Sequence, residues 1–409
     1  MSRIDDLMAE WCPHGVEVDL LGNVAELVRG NGMPKTELTE FGVGAIHYGQ
    51  IYTRYGVWTT ETLSFVSSES AVKLANVRPG DIIITNTSEN LGDVGKAVAW
   101  LGDQPIVTGG HATVIKHDQD PKYLSYWFQS ESFNVQKRKL ATGAKVIDVS
   151  ARQLMKIRIP VPPLEVQREI VRILDQFTQL EAELEAELEA RRRQYEHYRD
   201  ALLTGSGSTP FRSVPMGDVG AFKRGRRFTK ADVVPIGIPS IHYGEIYTKY
   251  GVAAHSAVSH VRVGLKDRLG YAEPGDVVIA AVGETVEDVA KAVAWLGSEP
   301  AAIHDDTFYF RSELNPKFVS YYLQTAEFHF QKSRHVSRAK VKRLSGESLA
   351  KIAIPVPPRE EQDQIVAALD QFDTLMNDLS IGLPAELAAR RRQYEHYRDR
   401  LLTFEERAA

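Results

Sequence analysis

From Leu164 to about Leu203 the chain contains neither proline nor glycine, and its apolar positions fall at Val166, Ile170, Ile173, Leu174, Phe177, Leu180, Leu184 and Leu188. Spacings of three and four put these side chains on one stripe of a helix. About 40 residues at 1.5 Å each make that helix roughly 60 Å long. The pattern starts again at Arg359, but Gly382 and Pro384 cut it, which predicts a break with Pro384 opening a new helical segment. Ahead of each long stretch the pattern changes. GDIIIT (80–85) and GDVVIA (275–280) are short apolar runs entered through Pro79-Gly80 and Pro274-Gly275 turns, which predicts buried strands. DPKYLSYWFQS (120–130) and NPKFVSYYLQT (315–325) predict short helices with an Asp or Asn cap and proline at the first helical position. KIRIPVP and KIAIPVP read as strands that run into Pro-Pro.

These elements come in pairs because the chain repeats itself. IHYGQIYTRYGV at 46–57 returns as IHYGEIYTKYGV at 241–252, KAVAWLG at 96 returns at 291, and KIRIPVPPLEVQREIVRILDQF from Lys156 returns as KIAIPVPPREEQDQIVAALDQF from Lys351, always 195 residues on. RRRQYEHYRD at Arg191 returns at Arg390, 199 residues on, so the second copy has gained four residues after Phe372. Units of this size are domain-sized halves with their own cores. The expected layout is an N-terminal helical segment (1–17), a first globular α+β domain (18–155), a long helix (156–204), a linker with the flexible GSGSTP run (205–212), a second globular domain (213–350) and a second long helical stretch (351–409). Each apolar stripe has the other copy as its natural partner, which predicts that the two long helices pack on one another.

The 409 residues hold 49 basic and 54 acidic side chains, a net charge of −5. TQLEAELEAELEA (178–190) contributes five glutamates and no base, so the remainder of the chain is neutral overall. Its bases cluster at Lys137, Arg138, Lys139, Lys145, Arg152, Lys156 and Arg158, at Lys332, Arg334, Arg338, Lys340, Lys342 and Arg343, and at Lys223, Arg224, Arg226, Arg227 and Lys230. Phosphate binding depends on such local patches, not on the chain total. The single cysteine, Cys12, excludes an internal disulfide and a Cys-based zinc site. No run approaches 18 apolar residues, and MSRIDDLMAEW does not resemble a secretory leader, so a cytoplasmic location is expected and no membrane partner.

A search for catalytic chemistry returns little. The Pro-Pro pairs follow valine, which is not the Asn/Asp-Pro-Pro-aromatic pattern of an amino-group methyltransferase. Gly42-Val43-Gly44 lacks a third glycine at dinucleotide spacing, and NLGDVGK ending at Lys96 has the wrong spacing for a phosphate loop. No histidine pair has metal-ligand spacing. No catalytic or metal-binding residue is therefore assigned, and no cofactor is expected on this chain. The IHYG stretch is more suggestive. His47, Tyr48, Gln50, Tyr52, Thr53, Arg54 and Tyr55, repeated as His242, Tyr243, Glu245, Tyr247, Thr248, Lys249 and Tyr250, are types that hydrogen-bond base edges and phosphates. The alternative is a β-hairpin with partly buried tyrosines. TNTSEN (85–90) against AAVGET (280–285) is where the copies diverge most sharply after a shared strand, which marks Asn86, Thr87, Ser88 and Asn90, with Lys96, Lys291, Arg226 and Arg227, as further DNA contacts.

Two globular units, each followed by a helix opening with IPVPP-x-x-x-Q and ending in RRRQYEHYRD-x-LLT, resemble the specificity subunit of type I restriction–modification enzymes. The resemblance implies two target recognition domains in a tandem pseudo-twofold arrangement, separated by two long antiparallel coiled-coil-like helices, each domain reading one half of a bipartite double-stranded DNA site. It implies a non-catalytic subunit on which two modification subunits dock, carrying S-adenosylmethionine, and which restriction subunits using ATP and Mg join. Arg191, Tyr195, Tyr198, Arg390, Tyr394 and Tyr397 near the helix ends are the expected partner-subunit contacts. It further implies that Ile4–Trp11 folds back near the end of the second helix. Because the two copies are so alike, two similar half-sites are expected, differing at one or two bases through Gln50/Glu245, Arg54/Lys249 and TNTSEN/AAVGET. The competing readings are a self-contained DNA methyltransferase or nuclease, and a coiled-coil scaffold whose heads bind protein.

Overall fold

The computed structural model describes residues 3–205, 210–337, 339, 341–377 and 382–407. Half of the expected linker (206–209), and Arg338 and Lys340 of one basic cluster, lie outside them. Besides five short α-helical turns, the α-helices are α1 (Arg3–Trp11), α2 (Tyr48–Thr53), α3 (Pro121–Trp127), α4 (Glu131–Leu140) and the 41-residue α5 (Leu164–Thr204), followed by α6 (Tyr243–Thr248), α7 (Pro316–Tyr322), α8 (Ala326–Ser333), α9 (Arg359–Asn377) and α10 (Gly382–Leu401) among the described residues. Pro384 sits in the first turn of α10, where it costs no helical hydrogen bond. Contacts divide the chain into Met1–Glu185 with Leu387–Ala409, and Ala186–Glu386. The division falls inside α5, so each unit combines one globular head with one end of each long helical stretch.

The first head has a sheet in the order Ala25–Arg29, Ala112–His117, Ile82–Thr85, Ala97–Trp100, Trp58–Thr59, antiparallel except for its last pair. A second sheet runs Ser64–Val66, Val43–Ile46, Ile106–Thr108, Ala75–Val77, with a parallel central pair. Side chains alternate faces along a strand. Ile83, Val98 and Val114 pack with Ile46, Ile51 and Trp100 on one face, while Ile82, Ile84, Ala97 and Ile115 pack with α3 and α5 on the other. Burial on both faces is why Ile82–Thr85 is an uninterrupted apolar run. The second head repeats this order with Gly220–Arg224, Thr307–Ser312, Val277–Ala280, Ala292–Trp295 and Ala253–Ala254, and its second sheet gains an edge strand, Val233–Val234.

The Gln of IPVPP-x-x-x-Q is a structural fastener. Gln167 is fully buried. Its Oε1 accepts from the Asp120 N–H at 2.9 Å, and its Nε2 donates to the Pro162 carbonyl and to Gln119 Oε1, both at 2.7 Å. Gln362 does the same with Asn315 N–H and Pro357. Asp120 and Asn315 cap α3 and α7, as the sequence predicts. Those helices then reach the long helices: Lys122 and Tyr126 both meet Asp175, and Lys317 and Tyr321 both meet Asp370. The closing RD of the repeated motif holds each head from the other side, because Asp399 accepts from the first N–H of α4 and Asp200 from the first N–H of α8.

Within the first unit α5 and α10 run antiparallel. Phe177 stacks on Tyr397 at 5.5 Å and meets Tyr394 at 6.3 Å, and further along Arg391 pairs with Glu181 and Glu185. In the second unit Tyr195 meets Phe372 at 6.4 Å. The stripe departs from expectation at Leu180, which is 52% exposed. Leu184 and Leu188, farther along the same helix, stay half-buried. As the resemblance implied, α1 folds back: Ile4, Leu7, Met8 and Cys12 pack on the core that holds Leu402. The tail closes the unit, with the Val16 N–H donating to Glu405 O and the Arg407 N–H to Val16 O.

Candidate nucleic-acid interface

The IHYG segment is not a hairpin. A strand ends at Ile46, His47 takes an extended conformation, and α2 starts at Tyr48. His47 Nδ1 accepts from the Gly49 N–H at 3.1 Å, Gln50 Oε1 accepts from the His47 N–H at 3.1 Å, and Gln50 Nε2 donates to Ser64 Oγ at 2.6 Å. This is a capping box. In the second head His242 caps Gly244, Glu245 accepts from the His242 N–H at 2.8 Å, and Ser259 donates to Glu245. The cap needs only an acceptor oxygen, so Gln50 and Glu245 serve equally and their difference is absorbed inside each head. That corrects the expectation that this pair distinguishes bases. Burial holds both imidazoles below their ordinary pKa, leaving neutral rings suited to accept a main-chain N–H.

Four of the tyrosines are also committed. The Tyr52 and Tyr247 hydroxyls donate to the main-chain oxygens of Thr87 and Val282. The Tyr55 and Tyr250 hydroxyls accept from the N–H groups of Leu63 and Val258 at 2.8 and 2.9 Å. Burial raises all four pKa values, Tyr250 to about 12. What these contacts leave outward is the C-terminal corner of each short helix. Thr53 and Arg54 are exposed in the first head, Thr248 and Lys249 in the second. Arg54 lines a shallow cleft with Lys35, His47, Gln50 and Thr53. Tyr48 and Tyr243 are half-buried, and Tyr48 lies 4.7 Å from the His111 ring.

The divergent loop is half framework and half surface. Asn86 is buried, its amide donating to Val149 O and accepting from Thr113 Oγ1. Thr87–Ser88 pair with Ile147–Asp148 as a short ladder. Asn90 is exposed but closes a turn on Asp93, and Lys96 meets Asp93 at 2.7 Å, holding that carboxyl below its usual range. Lys291 is exposed, lying over the Tyr247 ring at 5.6 Å, and Arg226 and Arg227 are exposed beside the second head's sheet. The basic clusters shrink where the fold uses their members. Lys137 is buried, its ammonium donating to Gly92 O, and Lys332 is buried on Glu287 O and Val289 O. Burial lowers both to about 8. These lysines fasten the loop and offer nothing to a phosphate.

Of the residues expected to grip partner subunits, Tyr195 and Tyr394 pack into the cores of the two units. Tyr198 and Tyr397 remain 49% and 37% exposed, Arg191 is exposed beside Glu187, and Arg390 is exposed. Among the described residues the one grouping with metal-ligand character is His304, Asp305 and Asp306. His304 Nδ1 accepts from the Asp306 N–H and Nε2 contacts Phe228 O, so both ring nitrogens already serve the turn. No described helix is long and apolar enough to cross a membrane.

This arrangement has known relatives. A Haemophilus influenzae protein, named provisionally as a type I restriction enzyme specificity subunit, is 31% identical over 317 residues, 75% of this chain and 76% of that one. The EcoR124I/EcoR124II type I restriction enzyme specificity subunit of Escherichia coli is 29% identical over 305 residues, 69% of this chain and 70% of its own. A solved chain, from work on the structural basis of complex assembly and conformational transition of the type I R-M system, shares the fold at a TM-score of 0.66 and 18% identity, covering 95% of this chain and 97% of that one. The family profile for the type I restriction–modification DNA specificity domain matches twice, at residues 13–190 and 210–389. The chain belongs to the type I restriction–modification DNA specificity family.

Proposed function

We infer that, as a specificity subunit, this chain is a non-catalytic DNA-recognition component of a type I restriction–modification system. We propose that each head reads one half of a bipartite duplex site, and that Arg54 and Lys249, with Thr53, Thr248, Lys96, Lys291, Arg226 and Arg227, form the contact surface. The observation that carries this reading is the repetition, in two independent units, of one cationic corner on one framework, each head fastened to ends of both long helices. A head gripped from two sides keeps its orientation, as a half-site reader must. Two modification subunits dock on the long helices, with Tyr198, Tyr397, Arg191 and Arg390 as contacts. They bring S-adenosylmethionine and transfer methyl to adenine. Restriction subunits bring ATP and Mg. The assembly works in the cytoplasm.

The test is a methylation map of DNA exposed to the chain with its modification subunits. A two-part site with an unread spacer supports the reading. Methyl transfer by the chain alone, or salt-insensitive binding by the assembly, refutes it, because phosphate contacts impose a steep salt dependence. The length of α5 sets the spacer. Removing one Glu-Ala-Glu-Leu unit at 181–184 shortens the helix by about 6 Å, which shifts the spacer by about one or two base pairs. An unchanged spacer excludes the helix as a ruler.

A further inference from the structure

Gln50 and Glu245 are both spent on caps, so beyond the Arg54/Lys249 exchange the heads have room for another place at which to differ. The two frameworks supply one at matched positions 195 residues apart. In the first head Thr87 is the register partner of Asp148. In the second Val282 is the register partner of Arg343. Directly paired residues put their side chains on one face of the ladder. The turn before Ala112–His117, where the chain passes from one sheet to the other, adds His111 to that face, its Nδ1 2.9 Å from Thr87 Oγ1. The matching turn in the second head adds Asp306, whose carboxylate lies 3.7 Å from the Arg343 guanidinium. The main chain beneath is held identically, since Tyr52 and Tyr247 donate to the carbonyls of Thr87 and Val282.

One scaffold therefore carries two trios of opposite polarity. The first is His111, Thr87 and Asp148, with its acid on the ladder. The second is Asp306, Val282 and Arg343, with its acid on the turn and a base on the ladder. Stability does not account for the exchange. The Arg343–Asp306 pair is long, and its side chains are 59% and 26% exposed, a setting in which ion pairs contribute little. Recognition does account for it. A guanidinium offers a planar donor fork that fits guanine O6 and N7, and a neighbouring carboxylate orients that fork. A carboxylate in the same place accepts from an amino group, adenine N6 or cytosine N4.

We propose that these trios read the base at which the two half-sites differ: Arg343, steered by Asp306, selects guanine in the second half-site, and Asp148 with His111 selects an amino-bearing base at the matching position of the first. The inference rests on the half-site reading above. It is tested by selecting methylated sites from a randomised DNA library with the chain assembled with its modification subunits. Arg343→Ala lowers the guanine preference at one position of one half-site roughly ten- to hundredfold and leaves the other half-site untouched. Arg343→Lys relaxes the same position, because it keeps the charge and loses the fork. The exchange V282T/D306H/R343D replaces guanine there by the base of the first half-site. If that triple variant melts early, Arg343→Ala and the reciprocal Asp148→Asn in the first head decide the matter. Half-sites identical at every base, unchanged selection, or a uniform loss at all positions overturns the inference. Failure of the unaltered assembly to select any two-part site would instead overturn the half-site reading.

Discussion

Gln167→Ala removes three hydrogen bonds at a fully buried position, with partners at 2.9, 2.7 and 2.7 Å. The Asp120 N–H and the Pro162 carbonyl are left inside the protein without partners, at about 1–3 kcal/mol each. The first unit should therefore lose about 3–5 kcal/mol once the small cavity is added. Urea unfolding followed by tryptophan fluorescence reports on this unit, since Trp11, Trp58, Trp100 and Trp127 belong to it and Trp295 alone to the other. With an m-value of about 1–3 kcal/mol/M, the midpoint of that phase falls by about 1 M or more. Gln167→Glu keeps the acceptor facing Asp120 but turns an oxygen toward the Pro162 carbonyl, so it is also destabilising. Gln362→Ala produces its own loss in the second unit, additive with the first because the residues share no partner. In the assembled complex Gln167→Ala blurs one half-site and spares the other. A stability change under about 0.5 kcal/mol would refute the argument, since that is the scale of a surface substitution.

Three further outcomes are expected. Gly95 has φ +79°, and a Cβ there would come within 3.0 Å of Lys137 Cδ and 3.1 Å of Phe133 Cζ, so Gly95→Ala costs about 1–2 kcal/mol by thermal melting. An unchanged melting temperature would show that the ring and lysine stem yield freely. Burial lowers His117 and His329 to about 4, so between pH 6.5 and 4 the unfolded chain takes up protons that the folded chain refuses. Stability is full above pH 6.5 and falls on acidification; His117→Gln makes that slope shallower, and a melting temperature that rose toward pH 5 would contradict the sign. Arg54→Ala relaxes one base position at a cost of about 1–3 kcal/mol in site selection, whereas an equal loss on all sequences with a smaller salt slope would reassign Arg54 to a phosphate.

Two kinds of information were legible in the residues. Period and punctuation named the elements: the 41-residue helix from its spacing of apolar positions, the capped short helices from Asp120-Pro121 and Asn315-Pro316, the doubly buried strands from their unbroken apolar runs. Residue type alone misled where a polar group was spent inside. Gln50, Tyr52, Tyr55, Asn86, Lys137 and Lys332 are all types that could meet DNA, and each is held by a framework partner. His111, Asp148 and Asp306 went unassigned, and Arg343 figured only as a member of a basic cluster, because single polar residues in turns and two-residue strands make no pattern. The 195-residue register would have exposed their exchange of charge, but only the ladder shows that they share a face.

The sequence by itself determined that this protein is two homologous α+β heads with long helices, because local periodicity and long exact repeats are properties of chain order and need no coordinates. Only the tertiary structure decided that each head is held by ends of both helical stretches, and which of two copies' differences reach the surface. Those outcomes depend on hydrogen bonds between residues as far apart as Glu131 and Asp399. Whether a side chain is spent or free is a question of what folding brings beside it.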